Sequence, residues 1–477
     1  MSNPPLRRDR TPADLSPPDA AHPLPNPGRR AVLTAGLLAG ASLTLAGIPG
    51  LRSAAASTQN PAGGAPDPGA GRPSPFLLAE PDSCTAPGPT DPAPRPLRIL
   101  FMGGTIFLGP PAVEYALARG HHVTLFNRGR SNPHWFNDVP ADRLRKLRGD
   151  RKTGDLESLR AVAGEKPFDA IIDTSAYFTP DVAQLVEALG AENIARYVMV
   201  STINVYAGNG TIDADENDAL VAPSADDFRS DDLEHYGPGK CACEKAALRL
   251  LGDRCALVRP ALIGGPRDAS DRLTYWPWRI SQGGPTLLPE GRGAPIQVID
   301  NRDLGRFLVT LAESKHSGAF NAVGSITMPW HATMGELVRA SLAGAAAAGI
   351  TVKDFEPIWA DADFLAEQNV GPWMNMPAWV PHSAPGMAGV ARRSGARAAR
   401  AGLTRRPLEE TCRDLLKWLP GSFDRREKHI ERLKREAAER GEPAPKLPDP
   451  RRLRAGLTRE REAEVLAAWA KATGGKR

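Results

Sequence analysis

The stretch "LRILFMGGTIFLGPPAVEYALARGHHVTLFNRG", Leu97 to Gly129, decides how this chain is read. Leu97 to Met102 is a short apolar run, the length of a buried parallel strand. Gly103-Gly104-Thr105-Ile106-Phe107-Leu108-Gly109 makes a turn. From Pro111 onward Val113 and Leu117 recur at helical spacing, until Gly120 stops the helix. His122 to Phe126 is the next strand. Strand, glycine-bearing turn, helix and strand in this order form a unit that binds dinucleotides, with the pyrophosphate at the helix N-terminus. Gly103 permits the tight turn and Gly109 lets the helix lie close on the sheet. Ile106 stands where such turns carry their middle glycine, so its side chain must point away from the phosphates.

The second strand ends in Phe126-Asn127-Arg128-Gly129-Arg130. An acid near this point holds the ribose diol of NAD, and none is present. Arginine suits a 2′-phosphate by charge and by its forked donor geometry. NADP is therefore the expected cofactor, with NAD as the alternative. Further apolar runs at Asp169–Asp173 and Tyr197–Val200 alternate with helical segments such as "DVAQLVEALGAENIA". This predicts an α/β fold: a Rossmann-type doubly wound parallel sheet with a smaller C-terminal substrate lobe.

The chain has 477 residues and a net charge of +5, too small an imbalance at this length to argue for nucleic acid. Pro and Gly, 46 each, crowd the N-terminal part. Residues 1–56 contain Arg29-Arg30, an uncharged run from Ala31 to Ile48 and the small cluster Ala54-Ala55-Ala56-Ser57. These are the parts of a twin-arginine-like export signal. The expectation is a periplasmic or extracellular protein that the export machinery recognises as a precursor. The mature chain is expected without stable membrane insertion, and membrane-anchored only if the signal stays uncleaved. Residues 57–96 are a Pro/Gly-rich stretch that cannot bury enough apolar surface to order itself, hence a disordered linker. The five cysteines, Cys84, Cys241, Cys243, Cys255 and Cys412, lack the spacing of a metal site, and no metal is expected.

Several motifs in order resemble the NAD-dependent epimerase/dehydratase family, the extended short-chain dehydrogenases/reductases. "GGTIFLG" is similar to the GGTxFLG turn of one subgroup. "GDRKTGDLESL" resembles the segment near the adenine and implicates Asp150. "DTSAY" matches the strand end along the cofactor, "VSTINVYA" the family's SSxxVYG, "YGPGK" its YxxxK and "LVRPALIGGPRD" its RPxxxxGP. "VIDNRDLGRFL" matches the strand and helix beyond, so the resemblance covers about residues 97–420. It implies catalytic roles for Tyr236, Lys240, Thr202 and Ser201. It implies cofactor binding by Gly103, Gly104, Thr105, Phe107, Leu108, Gly109, Asn127, Arg128, Asp150, Ser175 and Lys240. Tyr and Lys four apart share a helical face, and the ammonium is expected to favour the phenolate. Gly237-Pro238-Gly239 lie between them; proline is tolerated only in a first helical turn, so Tyr236 should start its helix.

The resemblance divides the chain into a Rossmann domain over residues 97–260 and a substrate lobe with returning Rossmann elements over 261–420. A charged helical extension follows over 421–477. In the lobe, "DASDRLTYWPWRISQGG" and "NVGPWMNMPAWVP" are aromatic segments able to line a pocket. Arg267, Asp268, Arg272 and Tyr275 are the candidate substrate contacts. "GLTRRPLEETCRDLLKWL" and "GLTREREAEVLAAW" both read as amphipathic helices capped by Thr, each ending near a buried Trp. The expected activity is hydride exchange between nicotinamide and a sugar-like or other hydroxylated small molecule, with Tyr236 as acid/base. Two alternatives stand. One is an NADPH-dependent reductase of aromatic-ketone or isoflavone-like substrates. The other is a non-catalytic NAD(P)- or RNA-binding relative. A homodimer is a further expectation implied by the family.

Overall fold

Strand Arg98–Met102 (β1) is buried along nearly its whole length, and its side chains alternate between two cores. Ile99 and Phe101 enter one, Leu100 and Met102 the other. A strand apolar on both faces needs helices on both, and the chain supplies them. The computed structural model describes residues 90–230 and 233–474. The elements that build the sheet follow in order: helix Gly109–Ala118 (α1), strands His122–Asn127 (β2) and Leu144–Arg148 (β3), and helix Glu157–Ala163 (α2). Strand Ala170–Asp173 (β4), helix Thr179–Leu189 (α3), strand Tyr197–Val200 (β5), helix Tyr236–Leu251 (α4) and strand Cys255–Pro260 (β6) come next.

Short strand Leu262–Gly264 (β7), helix Tyr275–Ser281 (α5) and strands Pro285–Pro289 (β8), Pro295–Ile296 (β9) and Val298–Asp300 (β10) lead into helix Asn301–Glu313 (α6). Strand Gly318–Ala322 (β11) then returns to the sheet. The order is β11-β6-β5-β4-β1-β2-β3, and every pairing is parallel. The α/β doubly wound architecture expected from the sequence is thus present. The winding reverses between β1 and β4, and ligands of such sheets sit outside the carboxyl ends at that point.

The rest of the lobe is strand Ala332–Thr333 (β12), helix Met334–Ala347 (α7), strand Glu356–Ala360 (β13), helices Ala362–Glu367 (α8) and Ala396–Arg400 (α9), and the long helices Leu408–Glu439 (α10) and Arg459–Ala472 (α11). A third core holds the others, with Trp276, Trp379, Leu415, Trp418, Phe423 and Val465 buried, while α9 packs Ala398 into the core that Ile99 and Phe101 enter.

Three expectations need correction here. No break falls at residue 420, because α10 runs through Pro420. A proline inside a helix forfeits a backbone bond, but Leu415, Leu416, Leu419 and Phe423 around it are buried and hold the axis. The segment after 420 is also part of the lobe rather than a solvated appendage. Arg426 bonds Asp271 at 2.8 Å and Glu462 accepts from Arg279 at 2.6 Å, all four side chains being buried. Thr458 caps α11 as expected, whereas Thr404 does not cap α10, which begins at Leu408 after Pro407. Trp418 is buried and Trp469 only half-buried.

The export-signal segment and Cys84 lie outside the described residues. Residues 90–96, assigned to the disordered linker, are fastened to the sheet end. The Ala93 amide donates to the Arg119 carbonyl at 2.8 Å, and Arg119 donates to the Asp91 carbonyl at 2.6 Å. The other four cysteines are free and buried. Among the described residues no helix is long and apolar enough to cross a membrane.

Glu313 closes this corner. It accepts from Arg119 at 2.7 and 2.9 Å and from His121 Nε2 at 2.7 Å. His121 Nδ1 accepts the Leu97 amide, so the proton resides on Nε2. Burial raises the Glu313 pKa, but the bonds from His121 and Arg119 and the charge of Arg119 outweigh it and bring it down to about 2. A carboxylate depressed on folding stabilises above its unfolded pKa and loses that contribution as pH falls towards the folded value. Wild-type stability should therefore drop between about pH 5 and 2, and Glu313→Gln should flatten that limb of a urea-midpoint-against-pH curve. An unchanged limb would show that Glu313 carries none of it.

Candidate active site

The glycine turn follows β1 directly. Gly103 and Gly104 have φ of +111° and +97°, the left-handed side that glycine adopts freely. A Cβ at Gly103 would lie 2.6 Å from Thr174 Oγ1, and one at Gly109 would lie 2.6 Å from the backbone of Gly104. Gly109 is thus the close approach of α1 to the turn. Phe107 also takes a positive φ, +47°, while Ile106 is half-exposed. Thr105 and Leu108 are buried beside them. Pro110 and Pro111 occupy the first helical turn and carry no N–H. The free amides at this end of the unit therefore come mainly from the turn, less from the helix than expected.

Two asparagines hold this turn. Asn132 donates to the Thr105 carbonyl at 2.8 Å, and Asn301 donates to the Phe107 carbonyl at 3.2 Å. Neither was legible in the sequence, since each comes from a distant loop or helix start. Asn127 donates to the Gly103 carbonyl at 3.3 Å and accepts from the Gly129 amide at 2.9 Å. Arg128 stands half-buried beside it. Asp150 caps its own turn through the Lys152 amide at 3.1 Å. Ser175 donates to the Met102 carbonyl at 3.2 Å, which places it against the end of β1. Gly109→Ala should push α1 off the turn, cost about 1–3 kcal/mol as overpacking does and weaken dinucleotide binding. Calorimetric titration with NADP+ reads this, and unchanged affinity would refute it.

Ser201 and Thr202 leave the end of β5, and both are buried. Tyr236 is the first residue of α4, and its hydroxyl faces the Thr202 side chain. The glycines between Tyr236 and Lys240 have a packing cause. A Cβ at Gly237 would lie 2.5 Å from the Asn204 carbonyl oxygen, and one at Gly239 would lie 2.6 Å from the Phe178 ring. Only bare backbone lets α4 come this close to the ends of β4 and β5.

Lys240 is buried and donates to the carbonyls of Ala176 at 2.6 Å and Val200 at 2.8 Å. Its ammonium sits 4.6 Å from the Tyr177 ring centre and 5.9 Å from that of Tyr236. Burial pushes its pKa down. The expected help from Lys240 to the phenolate needs correcting on this geometry. Burial pushes the Tyr236 phenol up to about 12, and the groups that oppose this are the Thr202 hydroxyl and the Arg272 guanidinium. Lys240 ties two strand ends together instead. Ser201 Oγ, also buried, has no hydrogen-bond partner.

The four proposed substrate contacts separate. Arg272 is buried, bonds Ser270 Oγ at 3.1 Å, stacks 5.5 Å from the Trp373 ring centre and acts on Tyr236. Asp268 is fully buried and accepts from Ser270, and burial raises its carboxyl to about 6. Arg267 faces α1: it lies 4.3 Å over the Trp135 ring and pairs with Glu114 of α1 at 3.4 Å. Tyr275 packs into the lobe core beneath Gly456, where a Cβ would strike its ring.

A cleft of about 860 Å³ opens beside Tyr236, between Asn204, Gly237 and Pro238 on one side and Trp373 and Val380 on the other. Of the two aromatic segments, "NVGPWMNMPAWVP" lines it, while Trp276 of the other is sealed in the core. Trp373, Ala378 and Ala391 line the cleft with φ of +65°, +64° and +54°. Strained backbone of this kind persists only where the surroundings over-determine it.

Fold and site together define a class: a Rossmann-type protein in which a tyrosine stands beside a buried threonine and a buried lysine at the carboxyl edge of a parallel sheet. No family model matches the chain. It is similar to a chloroplast stem-loop binding protein of Arabidopsis thaliana, 27% identical over 230 residues, which cover 46% of this chain and 56% of that protein. It is similar also to a 2'-dehydrokanamycin reductase of Streptomyces kanamyceticus, 28% identical over 281 residues, covering 57% of this chain and 72% of that protein. An epimerase family protein of Bos taurus is 27% identical over 239 residues, 48% of this chain and 74% of that one. A Bordetella bronchiseptica enzyme solved with NAD+ matches at 17% identity and TM-score 0.49, over 68% of this chain and 98% of that one.

Proposed function

We propose that this chain is an NADP-dependent oxidoreductase of the epimerase/dehydratase kind, acting on a sugar-like or other hydroxylated small molecule. The observation that carries the reading is the placement of Tyr236 at the start of α4, facing the Thr202 side chain beyond β5, with a cleft opening beside the neighbouring Gly237 and Pro238. A dinucleotide fits the residues present. The turn is tight enough that a Cβ at Gly103 would strike Thr174 and one at Gly109 the Gly104 backbone, and β2 is followed by Arg128 rather than by an acid.

When bound, the cofactor supplies a hydride acceptor and donor at its nicotinamide ring. The protein's own groups do the rest. Tyr236 takes or returns the proton at the substrate oxygen, and Thr202 orients that oxygen. Lys240 ties α4, which carries Tyr236, to the segment beyond β4 and to the end of β5, from which Thr202 leaves, and Ser201 presents a second hydroxyl. Arg272 holds the phenol's acidity within reach.

The segment around Arg29-Arg30 supports an exported enzyme. Outside the cytoplasm no pool of reduced dinucleotide is at hand, so a reaction that reduces and reoxidises one tightly held cofactor in each cycle suits that location. Epimerisation and dehydration are such reactions. The apolar walls of the cleft, Ile203, Val380 and Trp373 among them, favour the reductase of a carbonyl compound as the second reading. The stem-loop binding relative makes a non-catalytic role the third.

Mass spectrometry of the purified full-length protein after denaturation separates these. One NADP(H) per chain, unconsumed by turnover, is the expected result. Stoichiometric loss of added NADPH with ketones would favour the reductase. A protein free of dinucleotide that binds neither added NADP+ nor NAD+ ends the proposal.

A further inference from the structure

The carboxyl ends of β2 and β3 carry arginines whose side chains pair with no group among the described residues. In the parallel register Asn127 faces Arg148, so both strands finish level with each other. Arg128 and Arg130 flank Gly129 on one strand end, and Arg148 closes the other. Gly129 adopts φ of +65°. A Cβ there would lie 2.9 Å from Arg148 Nε and 3.1 Å from its Cζ, so the guanidinium lies flat across the Gly129 backbone. Any larger residue at 129 would displace it. Asn127 clamps this arrangement by accepting the Gly129 amide and donating to the Gly103 carbonyl, which links the arginines to the glycine turn.

The structure gives Arg128, Arg130 and Arg148 no ion pair or hydrogen bond from their side chains, and Arg148 is exposed. The nearest acid in sequence, Asp150, is turned onto the Lys152 amide. Like charges gathered at two strand ends repel unless an anion is shared between them. With a pyrophosphate on the glycine turn, the adenosine ribose falls at the end of β2, where a 2′-phosphate would meet these side chains.

We propose that Arg148 is a specificity-determining ligand of the cofactor's 2′-phosphate, completing with Arg128 a two-sided cradle for that dianion. The proposal rests on the reading that a dinucleotide occupies the glycine turn. Arg148 approaches from β3, whereas Arg128 approaches from β2, so the phosphate is held by two guanidinium planes fixed on separate strands. The selectivity is thereby set by strand register rather than by one flexible loop.

The test is calorimetric titration of the full chain, stripped of nucleotide, with NADP+, NAD+ and adenosine 2′,5′-bisphosphate. Wild type should bind NADP+ more tightly than NAD+. Arg148→Gln should weaken NADP+ and the bisphosphate by roughly 10- to 100-fold, the size of one charge-assisted hydrogen bond. NAD+ should change less than about twofold, well under the tenfold that 1.4 kcal/mol represents. Arg148→Lys should fall between, keeping the charge and losing the fork. If Arg148→Gln leaves NADP+ untouched while Arg128→Gln weakens it, the assignment of Arg148 is overturned and the NADP reading stands. Equal affinity of wild type for NAD+ and NADP+ overturns the cradle but keeps the dinucleotide site. Binding of neither overturns both.

Discussion

Tyr236→Phe should reduce turnover by about 10²–10⁴-fold, the range that a positioned general acid or base supplies. Affinity for the dinucleotide should stay within a factor of about two, because the ring remains and only the oxygen is lost. The pairing of these two readouts matters. The phenol sits among buried groups, and a variant that merely loosened α4 would lose binding as well. Here the ring still packs against Tyr177, whose centre is 6.2 Å away. Thr202 keeps its bond from the Asn204 amide at 3.2 Å. NADPH oxidation or exchange of substrate hydrogen with the cofactor, followed alongside calorimetric binding, measures both. A fully active Tyr236→Phe protein would remove the tyrosine from the chemistry and favour the non-catalytic reading.

Glu244→Ala should destabilise the fold by about 3–5 kcal/mol, the cost of leaving a buried charge without its partner. Glu244 on α4 and Arg259 on β6 are bidentate at 2.6 and 3.0 Å, and both side chains are almost fully buried. Arg259 also donates to the Tyr206 hydroxyl at 2.9 Å, which in turn donates to Asn321 of β11 at 2.6 Å. Removing the carboxylate strands a guanidinium in a site that water cannot reach. Replacing both partners with apolar groups, Glu244→Leu with Arg259→Met, should cost far less, since no charge is then left behind. Urea unfolding of the wild type and the two variants reads the contrast. Equal losses in the single and double variants would show that packing, not charge, governs this joint. The network explains why the arginine and tyrosine of "VRP" and "NVYA" stand where they do: they join β6, β11 and the segment beyond β5 to the helix that carries Tyr236.

The apolar runs of β1, β4 and β5 and the intervening helical periods made the doubly wound sheet legible, because a strand buried on both faces leaves a continuous apolar signature. The glycine turn and the Tyr236–Lys240 spacing were legible too, since each is a local requirement written into consecutive residues. Tertiary contact decided the remainder. Gly237 and Gly239 looked like a weakness between Tyr236 and Lys240, yet they are what lets α4 touch the strand ends. Lys240 shared a helical face with Tyr236 on paper, but two carbonyls from β4 and β5 claim its ammonium, and Arg272 from the other lobe faces the phenol. Arg267 and Tyr275 looked like neighbours of that arginine and point elsewhere. Asn132 and Arg148 stood in no motif, and Asn301 stood in one that gave no sign of the carbonyl it meets. Periodicity and spacing encode what neighbours along the chain must do. Which distant side chain satisfies a buried carbonyl, or reaches a buried phenol, depends on the path of the chain between them, and that path exists only once the core is packed.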